Sequence, residues 1–250
     1  FTLLIGFAFY VIIKGFTGAT PEMFAFARKG SIGNQLFNTI YLVFISLLFS
    51  VPLGVTAGIY LAMYAKKGFL TKFLRICIET LSSLPSIVVG LFGYLVFLVF
   101  FGLGKSLLAG ALSISILAIP VITTTTEDAI NGLPGHYLQA SLGLGATRWQ
   151  SIYKVVIPAA GSGILSGIIL GLARAFGEAL AVAMVIGQTT ALPKGLFSTT
   201  KSLTTEIAAQ MGNATEGGEM KTALWTMALL LFLLSLLFIL LIHYFSRPKK

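Results

Sequence analysis

Arg174 and Glu178 stand four residues apart inside an apolar run of this 250-residue chain. An ionisable group well inside an apolar span costs at least ~2.5 kcal/mol on insertion scales, so it should face protein or a water-filled cavity and have a partner. The i, i+4 spacing puts both side chains on one helical face, where they can pair. Arg174 offers a planar, permanently charged donor fork suited to an oxyanion, and Glu178 would hold that fork in place and blunt its affinity. The same spacing also fits a structural ion pair that locks helices together. Both readings stay open on the sequence.

Other polar groups in apolar surroundings are less decisive. Ser82, Ser83 and Ser86 surround Pro85. They could line a polar path where proline frees backbone groups, or bond back to their own helix. Thr123 to Thr126 present the same two options. Arg75 and Glu79 repeat the i, i+4 arrangement near a predicted membrane boundary, where a solvated pair is ordinary. Glu127 and Asp128 are adjacent, so they point to different sides of a helix and are no acid/base pair. They are expected at the membrane face, mostly solvated. His136 and His243 are isolated, no Cys/His cluster has metal-ligand spacing, and the single cysteine, Cys77, excludes an internal disulfide framework. No glycine run forms a Gly-Lys-Ser/Thr phosphate loop, so the chain is expected to bind neither nucleotide nor cofactor, and no metal.

The elements that position these groups are membrane helices. With 56% hydrophobic residues, 10% charged and a mean hydropathy of +0.94, the composition lies far from that of soluble domains. The net charge of +9 sits in short clusters at the ends of apolar runs, which fits anionic lipid headgroups and the positive-inside rule rather than nucleic acid. About six runs are long enough to cross: Phe1 to Phe16, Leu36 to Ala65, Cys77 to Phe101, Leu107 to Thr126, Ile164 to Ile186 and Thr222 to Tyr244. Pro52 and Gly54 predict a kink in the second, and Phe69 to Arg75 reads as an interfacial helix before the third. Gln188 to Lys221 reads as a long polar connection. The chain starts inside an apolar run without a methionine, so further residues before Phe1 are expected.

Between the fourth and fifth runs lies a polar insertion, Leu138 to Pro158. Pro134 suits a first helical turn, Gly143 and Gly145 favour a break, and Thr147 with Gln150 has capping-box spacing that restarts a helix. Pro158 biases Ile157 out of the helical region and should end the element. Arg148 and Lys154 accompany Trp149, Ile152 and Tyr153, giving apolar knobs beside positive charge, a docking surface. With this insertion cytoplasmic, that side holds nine basic residues: Lys66, Lys67, Lys72, Arg75, Arg148, Lys154, Arg247, Lys249 and Lys250. The other side holds Arg28, Lys29, Lys105, Lys194, Lys201 and Lys221, with Lys14 near its boundary. The bias favours the insertion and the C-terminus inside.

Gln139-Ala140-Ser141, three residues, Gly145, nine residues and Val155-Val156-Ile157-Pro158 resemble the cytoplasmic motif of ABC importer permeases. There the pattern is Glu-Ala-Ala, three residues, Gly, nine residues, Ile-x-Leu-Pro. Here Gln replaces Glu and Ser replaces the second Ala. Gly171 to Glu178, Gly33 to Thr39, Val51 to Tyr60, Glu79 to Gly90 and Thr126 to Ile130 further resemble phosphate-specific permeases. The A-type subunit is the nearer match, with the sister C-type as rival because of Ala179 to Gly187.

The resemblance implies an all-α, polytopic chain with a type I ABC importer permease (MetI-like) core. It implies one permease domain over residues 1–250, with a coupling loop at 129–160. Gln139, Ala140, Ser141, Gly145, Arg148, Trp149 and Pro158 would meet an ATPase, and Arg174, Glu178, Ser82, Ser83 and Ser86 would line the path. Implied partners are a second phosphate permease, an ATPase dimer carrying the ATP, an extracytoplasmic phosphate-binding protein and membrane lipid, with no nucleic acid. The chain would be a non-enzymatic, multi-pass subunit in a bacterial or archaeal plasma membrane. Rival expectations are a permease for sulfate, molybdate or phosphonate, a secondary anion transporter, and a non-transporting scaffold.

Overall fold

The structure is a computed structural model that describes residues 2–24, 32–66, 68–215 and 217–245. Lys67, Arg28, Lys29, Arg247, Lys249 and Lys250, used in the charge count, lie outside the described residues. Every regular element among the described residues is helical. The α-helices in order are α1 (Thr2–Thr17), α2 (Ile32–Met63), α3 (Phe69–Ser83), α4 (Ser86–Gly93), α5 (Leu107–Asn131), α6 (His136–Gly143), α7 (Arg148–Ser151), α8 (Ile157–Gly177), α9 (Leu180–Val185), α10 (Leu203–Gln210) and α11 (Glu219–Phe245), with a 3-10 turn at Pro21–Phe24 and π-helical stretches at Tyr94–Phe100 and Ile152–Val156.

Among the described residues, four stretches are long and apolar enough to cross a bilayer: α2, α5, the run Arg148–Gly177 and α11. The broken pair of α3 and Ser86–Phe100, which is α4 continued by a π-helical stretch, makes a fifth if taken as one span. α1 is a further apolar helix, described over 16 residues against the ~20 that a span needs. Three expectations change in detail. The helix from Phe69 does not stop at Arg75 but runs to Ser83, and the break comes at Leu84 (ψ 135°) and Pro85. That is the extended geometry proline imposes on its predecessor. The fifth run is interrupted, because α8 ends at Gly177 and α9 starts at Leu180. Ile157 is fully helical (φ −61°, ψ −48°), so Pro158 ends nothing. A widened π turn, Ile152–Val156, precedes it, with the Ile157 N–H donating to the Ile152 carbonyl. The wider turn gives room for a ring that an α turn would press against the Lys154 carbonyl.

The chain divides into two compact units. One comprises residues 47–84, 115–174 and 238–250. It contains α5 from Ser115 onward, part of the most buried of the spans. Small residues let its neighbours approach. A Cβ on Gly54 or Gly58 of α2 would meet Ile122 at 2.8 Å or Thr126 at 2.6 Å. From the other helix, Gly163, Gly167 and Gly171 of α8 face Ala129, Thr125 and Ile122 in turn, while Gly161 faces open space. The glycine stripe of α8 is therefore a packing seam of three residues. Below it, Met63, Ile130, Ile152, Val156, Ala160 and Ile164 form one apolar cluster.

The other unit comprises residues 1–46, 85–114 and 175–237. Here α4 packs on α9, where a Cβ on Gly90 would lie 2.8 Å from the Ala181 Cα. The first backbone donors of α5, which no helix can satisfy internally, are met from 185–198: Ser106, Leu107 and Leu108 donate to the Val185, Ser198 and Leu196 carbonyls at 3.0, 3.0 and 2.9 Å.

Candidate functional site

The polar insertion folds as two helices around a sharp turn. Gly145 adopts φ +84°, the left-handed region that glycine enters without steric cost. α6 runs from His136, so Pro134 lies just ahead of its first turn. The predicted capping box forms: Thr147 Oγ1 accepts from the Gln150 N–H at 3.3 Å, and Gln150 Oε1 accepts from the Thr147 N–H at 2.9 Å. A second tie comes from Ser141, whose hydroxyl lies 2.8 Å from that of the buried Ser151. Serine in place of the second alanine thus links α6 to α7. No spacing rule pointed to Ser151.

From Arg148 on, the helix shows two faces. Ile152 and Val156 are buried in the cluster with Met63 and Ile164. Trp149 and Tyr153 stack on each other at 6.5 Å, and each is 64% exposed, as is Leu144 at 90%. Lys154 is exposed beside them, and Gln139 and Ala140 are exposed on α6. This apolar ridge stands clear of the unit's own core, which is the arrangement a groove-filling contact requires. Arg148 does not share it. Its guanidinium donates to the Met63 carbonyl and lies over the Tyr64 ring at 5.4 Å. Both cations read as flanking the knobs are exposed, and Arg148 is in addition tied to the end of α2.

The charged groups of the apolar helices pair differently from their sequence spacing. α8 ends at Gly177, so Glu178 lies just beyond the helix that carries Arg174. Instead Glu178 Oε1 accepts from the Ala181 N–H at 3.1 Å, satisfying an orphan donor at the start of α9, while its carbonyl accepts from Thr204. Arg174, half-buried in the last turn of α8, has no ion-pair or side-chain hydrogen-bond partner among the described residues. Arg75 pairs not with Glu79 but with Glu127, whose side chain is 7% exposed and so is not solvated as expected. Thr123, Thr124 and Thr125 bond back to carbonyls of α5, as does Ser83 to Thr80 in α3. Ser82 is exposed in α3, and Ser86 is half-buried at the start of α4.

One charged pair was missed. Within the supposed polar connection Gln188 to Lys221, Lys201 Nζ and Glu206 Oε2 meet at 2.8 Å with side chains 8% and 6% exposed. They flank a second capping box, Ser202 with Thr205, at the start of α10. Asn38 of α2 donates to the Ala191 and Lys201 carbonyls, and Thr39 accepts from the Leu203 N–H. The signal available was the Asn34, Asn38 pair at i, i+4 and the Ser-x-x-Thr spacing.

Residues 54–249 match the family model described as the binding-protein-dependent transport system inner membrane component. The chain belongs to that family. This permease is 44% identical over 193 residues to the probable ABC transporter permease protein YqgI of Bacillus subtilis (strain 168), covering 75% of this chain and 66% of that one. It therefore spans just under two thirds of that relative's length. It is 35% identical over 175 residues to the phosphate transport system permease protein PstA of Pasteurella multocida (strain Pm70), covering 68% and 62%. The PstC protein of the same organism matches at 31% over 225 residues, covering 80% and 69%. Among solved structures, the inward-facing methionine ABC transporter MetNI matches with a TM-score of 0.65 and 21% identity, over 85% of this chain and 95% of that one. That likeness places the permease in the MetI-like fold. Its long apolar helices fit a multi-pass inner-membrane component.

Proposed function

We propose that this permease carries inorganic phosphate, as one of two homologous permease subunits above an ATPase dimer and below a phosphate-binding protein. The observation that carries the substrate is Arg174: a guanidinium at the end of an apolar helix, without a partner among the described residues, in a chain similar to both A-type and C-type phosphate permeases. A cation so placed needs a counter-charge, and a tetrahedral oxyanion accepts from its donor fork. Because relatives of both types match, the proposal stops at a phosphate permease subunit. Glu178 keeps a different part, holding the start of α9.

ATP binds the partner subunits, and this chain binds no cofactor. Their closure reaches the membrane through the ridge of Leu144, Trp149 and Tyr153, with the C-terminus on the same, cytoplasmic side. Arg174→Ala is expected to abolish uptake of labelled phosphate in proteoliposomes holding the whole transporter, with assembly intact. Assembly lost together with uptake would make Arg174 a structural group. ATP-driven uptake that sulfate suppresses would retire phosphate as the substrate, and uptake without ATP would make the chain a secondary transporter.

A further inference from the structure

Between the end of α1 and the start of α11 lies a cavity of about 230 Å³, lined by Lys14, Thr17, Gly217, Lys221, Thr222 and Trp225. The two helices are pinned there. A Cβ on Gly15 would lie 2.5 Å from the Leu229 Cβ, Gly18 sits directly against Thr222, and the Thr226 hydroxyl donates to the Gly15 carbonyl at 3.3 Å. Backbone contact of this kind fixes the lysines on either side of one cleft. Lys14 lies over the Tyr10 ring at 5.9 Å, and Tyr10 meets Trp225 edge-on at 5.2 Å. Tyr and Trp beside lysines mark the level of lipid headgroups. Next to Lys14 and Thr17 along α1, Ile13 and Phe16 are 58% and 71% exposed, a surface that acyl chains would cover.

We propose that this cleft binds the phosphodiester headgroup of an anionic phospholipid. Two ammonium groups and the positive end of α11 border a space smaller than the ~300 Å³ at which drug-sized pockets begin, which suits one small anionic group. Lys221 also interacts elsewhere, and its three N–H donors leave room for a headgroup oxygen. Glu219 is two residues from Lys221 and so faces another side of the helix. Free phosphate shares the headgroup chemistry, but it would leave the exposed apolar wall of α1 uncovered.

The test is native mass spectrometry of the assembled transporter taken from nanodiscs of phosphatidylcholine doped with phosphatidylglycerol. The wild type is expected to retain phosphatidylglycerol selectively. The K14Q/K221Q double variant should hold it about 30-fold more weakly, the change two lysines at a membrane surface supply, and K14R/K221R should keep it. Because Lys14 is exposed, K14E alone tests the cleft if the double variant does not assemble, and it too should lose the lipid. Equal retention by K14Q/K221Q or K14E would overturn the proposal. Release of the lipid by added inorganic phosphate would also overturn it, in favour of free phosphate as the ligand.

Discussion

The guanidinium of Arg148, the first residue of α7, donates to the main-chain carbonyl of Met63, the last residue of α2. Terminal carbonyls of a helix have no partner within it. Here Arg148 of α7 supplies one, and the guanidinium lies over the Tyr64 ring. A charge-assisted bond from a rigid fork holds direction as well as distance. The start of α7 and the end of α2 are therefore constrained to move together.

Arg148→Ala should leave ATP hydrolysis running and cut phosphate uptake per ATP several-fold, because the docked helix then moves without α2. Arg148→Lys should restore part of the coupling, since an ammonium reaches the carbonyl without the planar stacking. Parallel ATPase and uptake assays on the reconstituted transporter check this. A ratio unchanged in Arg148→Ala would reduce the bond to local packing.

Gly145 gives a second handle on the same element. Its φ of +84° costs an L-residue roughly 1–2 kcal/mol, and a β-branched one more. Gly145→Val should reorient Leu144 and uncouple hydrolysis from uptake. Gly143→Val, at a helical position facing open space, should couple nearly as the parent does. Equal behaviour of the two variants would remove the turn from the mechanism.

The turn between α6 and α7 was legible because its signals are local: a glycine at the turn, a Thr-x-x-Gln box and a polar composition between apolar runs. The long spans α2, α5 and α11 were legible for the same reason. What the sequence concealed depends on partners far along the chain. Arg75 has Glu79 one turn away yet pairs with Glu127, 52 residues on. Gln188 to Lys221 reads as solvated because hydropathy counts polar atoms without knowing that Asn38, Thr39 and Glu206 satisfy them inside. Pro158 reads as a stop because a π turn, which adds one residue to a ring of backbone, leaves no trace in composition.

The seam between α8 and α5 separates glycines that share one sequence pattern. A Cβ on Gly167 would lie 2.8 Å from the Thr125 Cβ, with the Thr125 hydroxyl closer still, whereas one on Gly161 meets nothing. Gly167→Ala should destabilise by about 1–3 kcal/mol through overpacking. Gly161→Ala should be neutral or stabilising by up to ~1 kcal/mol through helix propensity. Thermal midpoints in one detergent compare them, and a Gly167→Ala midpoint at or above the parent's would show that α8 and α5 can separate freely.

Lys201 and Glu206 form the sharpest case of a local rule failing. Five residues apart across a capping box, they meet with both side chains more than nine-tenths buried. Neutralising one leaves the other charged without compensation, which in buried pairs costs ~3–5 kcal/mol, while replacing both by apolar groups is often near neutral. Lys201→Met and Glu206→Leu should therefore each lower the thermal midpoint strongly, and the double variant should recover most of the loss. That non-additivity is the diagnostic, because a pair contributing only packing gives single effects that add. If the double variant is as stable as the parent yet transports normally, the pair serves neither stability nor the path. Stability recovered with transport lost would instead assign the charge on Lys201 or Glu206 to the passage of the anion.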